Sequence, residues 1–248
     1  MSIMAVKDVH KDFSGLKVLT GVDFEVKQGE RFAIIGPNGA GKTTLFNILS
    51  GAFRPSKGKV LFGEQDISTK PPHLRNRMGM SRSFQITNIF KELSVFANVL
   101  AGVRSSRGMR CHLLRRPLAD KGLVERTEEI LERVDLLDER YTPAQELAYG
   151  QQRALELGIT LSTDPELILL DEPTAGMSRQ ETDNAIQMIQ RVTASKTCLI
   201  IEHDMNVVFS LADRISVLHY GVILACGHPE EIRNDQRVKD AYLGEEEL

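Results

Sequence analysis

Gly36-Pro37-Asn38-Gly39-Ala40-Gly41-Lys42-Thr43 restricts this chain more than any other segment. A short apolar run, Arg31 to Ile35, leads into it. A stretch of helical spacing follows, Thr43-Thr44-Leu45-Phe46-Asn47-Ile48-Leu49-Ser50, and stops at Gly51. A G-x-x-x-x-G-K-T run between a strand and a helix is a loop built to cradle phosphates. Its glycines let backbone amides wrap phosphate oxygens, and the positive end of the helix points at them. Lys42 would reach the β- and γ-phosphates. Thr43 offers a hydroxyl to Mg²⁺, a hard ion that takes oxygen ligands.

A second apolar run, Leu167-Ile168-Leu169-Leu170, ends in Asp171-Glu172. Ionised carboxylates at the end of a buried strand are costly without a partner. A Mg²⁺ held partly through water gives Asp171 that partner. Glu172 is then placed to accept a proton from a water attacking the γ-phosphate. His203 follows a third such run, Leu199-Ile200-Ile201. Open α/β sheets collect their ligands at the carboxyl ends of strands, which makes His203 a functional candidate.

The rest of the chain fits an α/β domain. Of 248 residues, 42% are hydrophobic and 26% charged, an ordinary globular balance that excludes collagen-like and low-complexity chains. The formal net charge of −3 gives no global reason to expect nucleic acid as a partner. Apolar runs stay far below the roughly 20 residues needed to span a bilayer, and the first residues meet Lys7 and Asp8 too early for a signal peptide. Cys111, Cys198 and Cys226 have no close spacing, so they read as small, partly buried hydrophobes in a reducing compartment.

Alternation in the first 30 residues, punctuated by Gly15, Gly21 and Gly29, predicts short antiparallel strands. Residues 58–67 predict a hairpin turning at Gly63. Helices are expected over 94–102 and about 119–137. Between them Arg104, Arg107, Arg110, Arg115 and Arg116 form a block read as a loop with a solvated face. The α/β rhythm then resumes: strands at 167–171, 197–201 and 214–218, helices at 179–192 and from 205. A hairpin follows at Tyr220-Gly221, and two short helices close the chain.

The order of motifs resembles the ATP-binding cassette family over essentially the whole chain. The loop at 36–43 comes first, then Gln85, Leu147-Ala148-Tyr149-Gly150-Gln151, Asp171-Glu172 and His203. The resemblance implies a P-loop NTPase core sheet with an N-terminal antiparallel β subdomain and an inserted α-helical subdomain. Residues 1–84 and 164–248 would form the core and 85–163 the helical part. It also implies ATP and Mg²⁺ as ligands, with Thr44 beside Thr43 at the phosphates and Phe13 stacking on adenine. Gln85 would join Thr43 and Asp171 at Mg²⁺. Leu147, Ala148, Tyr149, Gly150 and Gln151 would form a signature that contacts the ATP of a second, identical or paralogous, ATPase chain.

Arg82-Ser83-Phe84-Gln85, Tyr149-Gly150-Gln151-Gln152-Arg153 and Glu202-His203-Asp204-Met205 resemble ATPase subunits of branched-chain amino-acid importers. So does the ending from Glu230 to Glu245. Importers of urea, amides or aromatic acids and a lipid-export branch share much of this pattern, and a soluble non-transport cassette ATPase is the alternative from another class. The importer reading implies integral-membrane permease subunits, an indirect solute-binding protein, and a peripheral place on the cytoplasmic face of the membrane. Phe90, Leu93, Val95 and Phe96 are the candidate apolar contact with a permease. Two residues depart from the family pattern: Ala148 replaces the usual signature serine, and Met177 stands where many relatives carry aspartate.

Overall fold

The computed structural model describes residues 1–83, 89–106 and 120–243. Two sheets carry the fold. The first has strand order β2-β1-β4-β5, from β1 (Ser2–Phe13), β2 (Leu16–Lys27), β4 (Lys57–Phe62) and β5 (Gln65–Asp66), all antiparallel. The second has order β10-β9-β3-β8-β7-β6, from β3 (Arg31–Ile35), β6 (Met80–Arg82), β7 (Leu167–Asp171), β8 (Thr197–Ile201), β9 (Arg214–His219) and β10 (Val222–Gly227). It is parallel throughout except for β10, which returns antiparallel on β9.

The period of two in these strands sorts the core into two layers. Phe32, Ile34, Leu167, Leu169, Leu199 and Ile201 join the antiparallel sheet and α1 (Lys42–Ser50) in one apolar cluster. Ala33, Ile35, Ile168, Leu170, Cys198 and Ile200 face the other way. They share a cluster with α3 (Val95–Ser106), α4 (Lys121–Arg133), α5 (Tyr149–Leu161), α6 (Arg179–Thr193) and α7 (Met205–Leu211). Apolar contacts are therefore continuous from the parallel sheet into the helices inserted between β6 and β7. The chain closes with α8 (Pro229–Asn234) and α9 (Gln236–Leu243). Among the described residues no helix is long and apolar enough to cross a membrane.

Several expectations need correction. The N-terminal strands are not short: each runs for 12 residues. Gly21 does not end a strand. Val9 pairs with Val22 and His10 with Thr20, so Gly21 is the extra residue of a bulge, at a φ of 104° that suits glycine. The first expected helix runs on to Ser106 and takes in Arg104; the other four arginines of the block, and Cys111, lie outside the described residues. The second is trimmed to α4, whose start is capped by the Asp120 carboxylate accepting from the Leu123 amide. Cys198 is buried, but Cys226, on the edge strand β10, is exposed. A short helix, α2 (Pro72–Arg77), and the edge strand β6 have no counterpart in the sequence reading.

α2 carries a structural lock. Arg75 is almost fully buried, and its guanidinium donates to the carbonyls of Ile48 (2.7 Å), Leu49 (2.6 Å), Ile67 (2.7 Å) and Lys70 (2.9 Å). Ile48 and Leu49 belong to the last turn of α1, where carbonyls run out of intrahelical donors; the Gly51 amide at the C-cap also donates to Ile48. Burial pulls the Arg75 pKa down to about 10, so it stays charged near neutrality. Arg75→Met keeps the stem but removes the side-chain donor from all four carbonyls: Ile48 and Ile67 keep the Gly51 and Lys70 amides, whereas the Leu49 and Lys70 carbonyls lose the donors described for them. We expect it to cost about 3 kcal/mol or more. Thermal unfolding should then show a midpoint lowered by roughly 6–12 °C, at about 2–4 °C per kcal/mol for a chain of this size. An unchanged midpoint would show that α1 needs no such lock.

Candidate nucleotide site

Three segments meet at the carboxyl edge of the parallel sheet. Ile34 of β3 and Asp171 of β7 both pair with Ile201 of β8. The loop after Ile35, the turn after Asp171 and the segment after Ile201 thus leave the sheet at one level. This register brings the phosphate loop, Glu172 and His203 to the same edge.

The loop is shaped by close backbone approaches. A Cβ at Gly36 would come within 2.0 Å of the Leu218 carbonyl oxygen, and one at Gly41 within 2.8 Å of Leu19. Gly39 and Gly41 have φ of 75° and 105°. The neighbouring hairpin closes in without side chains: the Gly221 amide donates to the Ala40 carbonyl, and Thr20 donates to the Gly221 carbonyl. Gly36 and Pro37 are buried, whereas Asn38 and Gly39 face solvent. α1 starts at Lys42 with no side-chain cap and no acid in its first turn, which suits an anion at its amides. The buried Lys42 ammonium folds back onto the Gly36 and Pro37 carbonyls, the second at 2.9 Å. Thr43 is exposed and Thr44 half-buried.

Asp171 is buried and accepts from Arg82 Nη2 at 2.9 Å. Arg82 also donates through Nη1 to Asn47 Oδ1 and Ser50 Oγ of α1, each at 2.9 Å, and its guanidinium lies over the Phe46 ring. Burial raises the Asp171 pKa, and Arg82 pulls it back. Sequence reasoning gave Arg82 no role of its own, since nothing local signals a contact across 89 positions.

Glu172 has φ 46°, in the left-handed region that a glutamate rarely adopts. Its amide donates to the Ile201 carbonyl at 2.8 Å, and its own carbonyl accepts from Ala175 at 3.1 Å. Strain of this kind persists where surrounding bonds overdetermine it. The His203 side chain is largely exposed, and its Nδ1 lies 3.7 Å from Glu202 Oε2. Gln85 lies outside the described residues. Among the described residues no group of three or more His, Cys, Asp or Glu side chains could hold a metal ion.

Phe13 is exposed at the end of β1 rather than part of the core. It meets Phe53 edge-to-face at 5.7 Å between ring centres, with Lys11 Nζ 4.8 Å from its centroid. The two rings form a half-open aromatic ledge; Phe53, in the turn after Gly51, carries no sequence signal that marks it.

The signature segment opens α5. Leu147 is a buried anchor, while Ala148 and Tyr149 are exposed and Gly150 and Gln151 half-buried. Ala148 is the N-cap, and its amide donates to Gln151 Oε1 at 3.0 Å. Alanine has no hydroxyl to return a bond, so the first amides of α5 lack a side-chain cap. The Tyr149 hydroxyl donates to the Ala175 carbonyl at 2.9 Å. Of the four apolar candidates beyond Gln85, Val95 and Phe96 are core residues; Phe90 and Leu93 are exposed. Asn98, buried, holds the Phe90 backbone on both sides: its Oδ1 accepts from Phe90 N and its Nδ2 donates to Phe90 O.

Comparison with known proteins bears on these features together. A family model described as ABC transporter matches residues 19–175, and one described as branched-chain amino acid ATP-binding cassette transporter matches residues 222–247. The chain is 39% identical to the high-affinity branched-chain amino acid transport ATP-binding protein LivG of Salmonella typhimurium, covering 98% of each. It is 37% identical to BraF of Pseudomonas aeruginosa, a protein described in the same terms, again over 98% of each. A solved ATP-binding cassette of an ABC transporter in its ADP conformation superposes with a TM-score of 0.86 at 31% identity, covering 98% of this chain and 99% of that one.

Proposed function

Because the chain belongs to the ATP-binding cassette transporter family, we propose that it binds and hydrolyses ATP as the ATPase subunit of an importer of branched-chain amino acids. The observation that carries this reading is the full-length likeness to LivG and BraF, extended by the match over residues 222–247. The site geometry supports the chemistry. Lys42 would exchange the Gly36 and Pro37 carbonyls for β- and γ-phosphate oxygens, while the first amides of α1 take the remaining phosphate charge. Phe13 would lie on the adenine. Glu172 would accept a proton from the attacking water, and His203 would hydrogen-bond the γ-phosphate.

The donor set suits Mg²⁺. Thr43, Asp171 and Gln85 offer hard oxygens but too few to cage an ion, so phosphate oxygens must complete the shell. Asp171 would act through water, since Arg82 already occupies one of its oxygens. Bound Mg²⁺ would supply positive charge against the β- and γ-phosphate oxygens.

Residues 147–151 would serve the ATP of a second ATPase chain, identical or paralogous, in a two-fold pair. Loss of the serine hydroxyl at Ala148 weakens that contact, and the uncapped amides of α5 maintain it. Residues 1–84 and 164–248 form the nucleotide core of this reading and 85–163 its helical part. The pair would sit peripherally on the cytoplasmic face of the membrane against permease subunits that exchange solute with a binding protein.

The transport reading is tested at Phe90 and Leu93. Their exposure, with the backbone pinned by Asn98, offers an apolar surface to a permease. Phe90→Ser with Leu93→Ser should leave ATPase of the isolated subunit within about twofold and lower uptake by the assembled transporter roughly 10-fold or more, as for the loss of a buried apolar anchor. Unchanged uptake removes this surface from coupling. A parallel fall in both activities places the effect in folding or chemistry.

A further inference from the structure

Glu202 has no role in the chemistry above, yet its carboxylate is the most enclosed acid at the sheet edge, with 0% exposure. Every hydrogen bond described for this carboxylate is accepted, and all come from two loops. Oε1 takes the Thr174 amide at 3.1 Å and the Thr174 hydroxyl at 2.6 Å. Oε2 takes the His203 amide at 3.1 Å, with His203 Nδ1 at 3.7 Å. Thr174 is two residues beyond Glu172 and belongs to the same turn, closed by the bond from Ala175 N to Glu172 O. On the other side the Glu172 amide is held by the Ile201 carbonyl. The turn bearing Glu172 and the segment bearing His203 are thus stitched together twice, once by backbone and once by a buried carboxylate.

We infer that Glu202 is a positioning residue that makes the Glu172 turn and the His203 segment one mechanical unit, so that the two side chains hold a fixed spacing at the sheet edge. A buried carboxylate suits this task because all its partners here are donors, and hydrogen bonds to a charged acceptor are the strong ones. Glutamine has nearly the same shape but turns one acceptor into a donor. Whichever way its amide lies, a donor then faces either the Thr174 pair or the His203 amide. The spacing loosens without a cavity being opened. The inference rests on Glu172 and His203 as the hydrolytic pair, and one arm of its test does not.

That arm is amide hydrogen exchange on the full chain. In Glu202→Gln the Thr174 or His203 amide should exchange about 10-fold faster or more, the loss expected for a bond to a charged acceptor, while the amides of β3 and α1 keep their protection. Unchanged exchange at both positions overturns the inference.

The second arm is kinetic. Glu202→Gln should lower kcat roughly 100-fold, the scale of a misplacement of about 1 Å, with the Kd for ATP within about twofold. Combined with His203→Ala, it should slow turnover no further than His203→Ala alone, because both act through one unit. Thr174→Val should repeat the kcat loss in milder form, and Thr174→Ser, which keeps the hydroxyl, should restore it. Effects of Glu202→Gln and His203→Ala that multiply, or a kcat equal to that of the parent chain, overturn the inference. A parent chain with no ATP turnover defeats the hydrolytic reading instead, and the exchange arm still decides the role of Glu202.

Discussion

Glu172→Gln should bind ATP as the parent chain does and hydrolyse it at least about 100-fold more slowly, the lower end of what a positioned general base supplies. Glutamine preserves the shape and the turn. The Glu172 amide can still donate to Ile201, and its carbonyl can still accept from Ala175. Only the capacity to take a proton is lost. ATP would then persist in the site and hold two chains together across it. Gel filtration with ATP should show a larger species for this variant than for the parent chain, and single-turnover phosphate release should locate the loss in the chemical step. A variant that turns over at the parent rate assigns the base elsewhere.

Lys42→Ala should abolish turnover by a different route, through binding. The buried ammonium serves two carbonyls in the present structure and would serve two phosphates in the nucleotide complex. Losing one such charged bond costs about 1.5–3 kcal/mol, so losing contact with two phosphates should weaken ATP by about 100-fold or more. The consequence can be read in thermal unfolding. ATP at 100 times the parent Kd stabilises the parent by about 2.7 kcal/mol, whereas the variant, near its own Kd, gains only about 0.4 kcal/mol. At about 2–4 °C per kcal/mol the midpoint shifts should be roughly 5–11 °C and 1–2 °C. Equal shifts would place nucleotide away from this loop.

These two residues could be named before any coordinates because their surroundings are local. Lys42 sits six positions after Gly36 on a strand–turn–helix path, and Glu172 ends an apolar strand. What stayed hidden depends on pairs far apart in the chain. Arg82 meets Asp171 across 89 positions, and Thr174 meets Glu202 across 28. No period or spacing encodes such contacts, since an arginine on a three-residue edge strand reads as an ordinary surface charge. The bulge at Gly21 is hidden in the sequence for a related reason. A glycine within an alternating run signals either a break or an extra residue, and only the pairing of β1 with β2 decides. Likewise the segment from Phe90 to Phe96 mixes apolar and polar residues with no clear period, and its division into exposed Phe90 and Leu93 and buried Val95 and Phe96 follows from where α3 begins.

The close approaches around Gly36, Gly41 and Gly221 bear on how this chain could be redesigned. A Cβ at Gly221 would lie 2.3 Å from the Val18 carbonyl oxygen, as intolerable as the one at Gly36. At Gly36 and Gly221 main chain touches main chain, and at Gly41 the buried Leu19 side chain closes in, so little adjustable side chain lies between these segments to shorten, lengthen or recharge. A search for altered nucleotide preference that randomises this part of the chain would mostly return misfolded loops. Phe13 and Phe53 offer the opposite situation: both rings are partly open to solvent and border the loop segments Ser14-Gly15 and Arg54-Pro55. On the proposed placement of adenine at Phe13, variation in base selectivity should therefore be sought at that rim, where a library can change chemistry while the glycine loop keeps its dimensions.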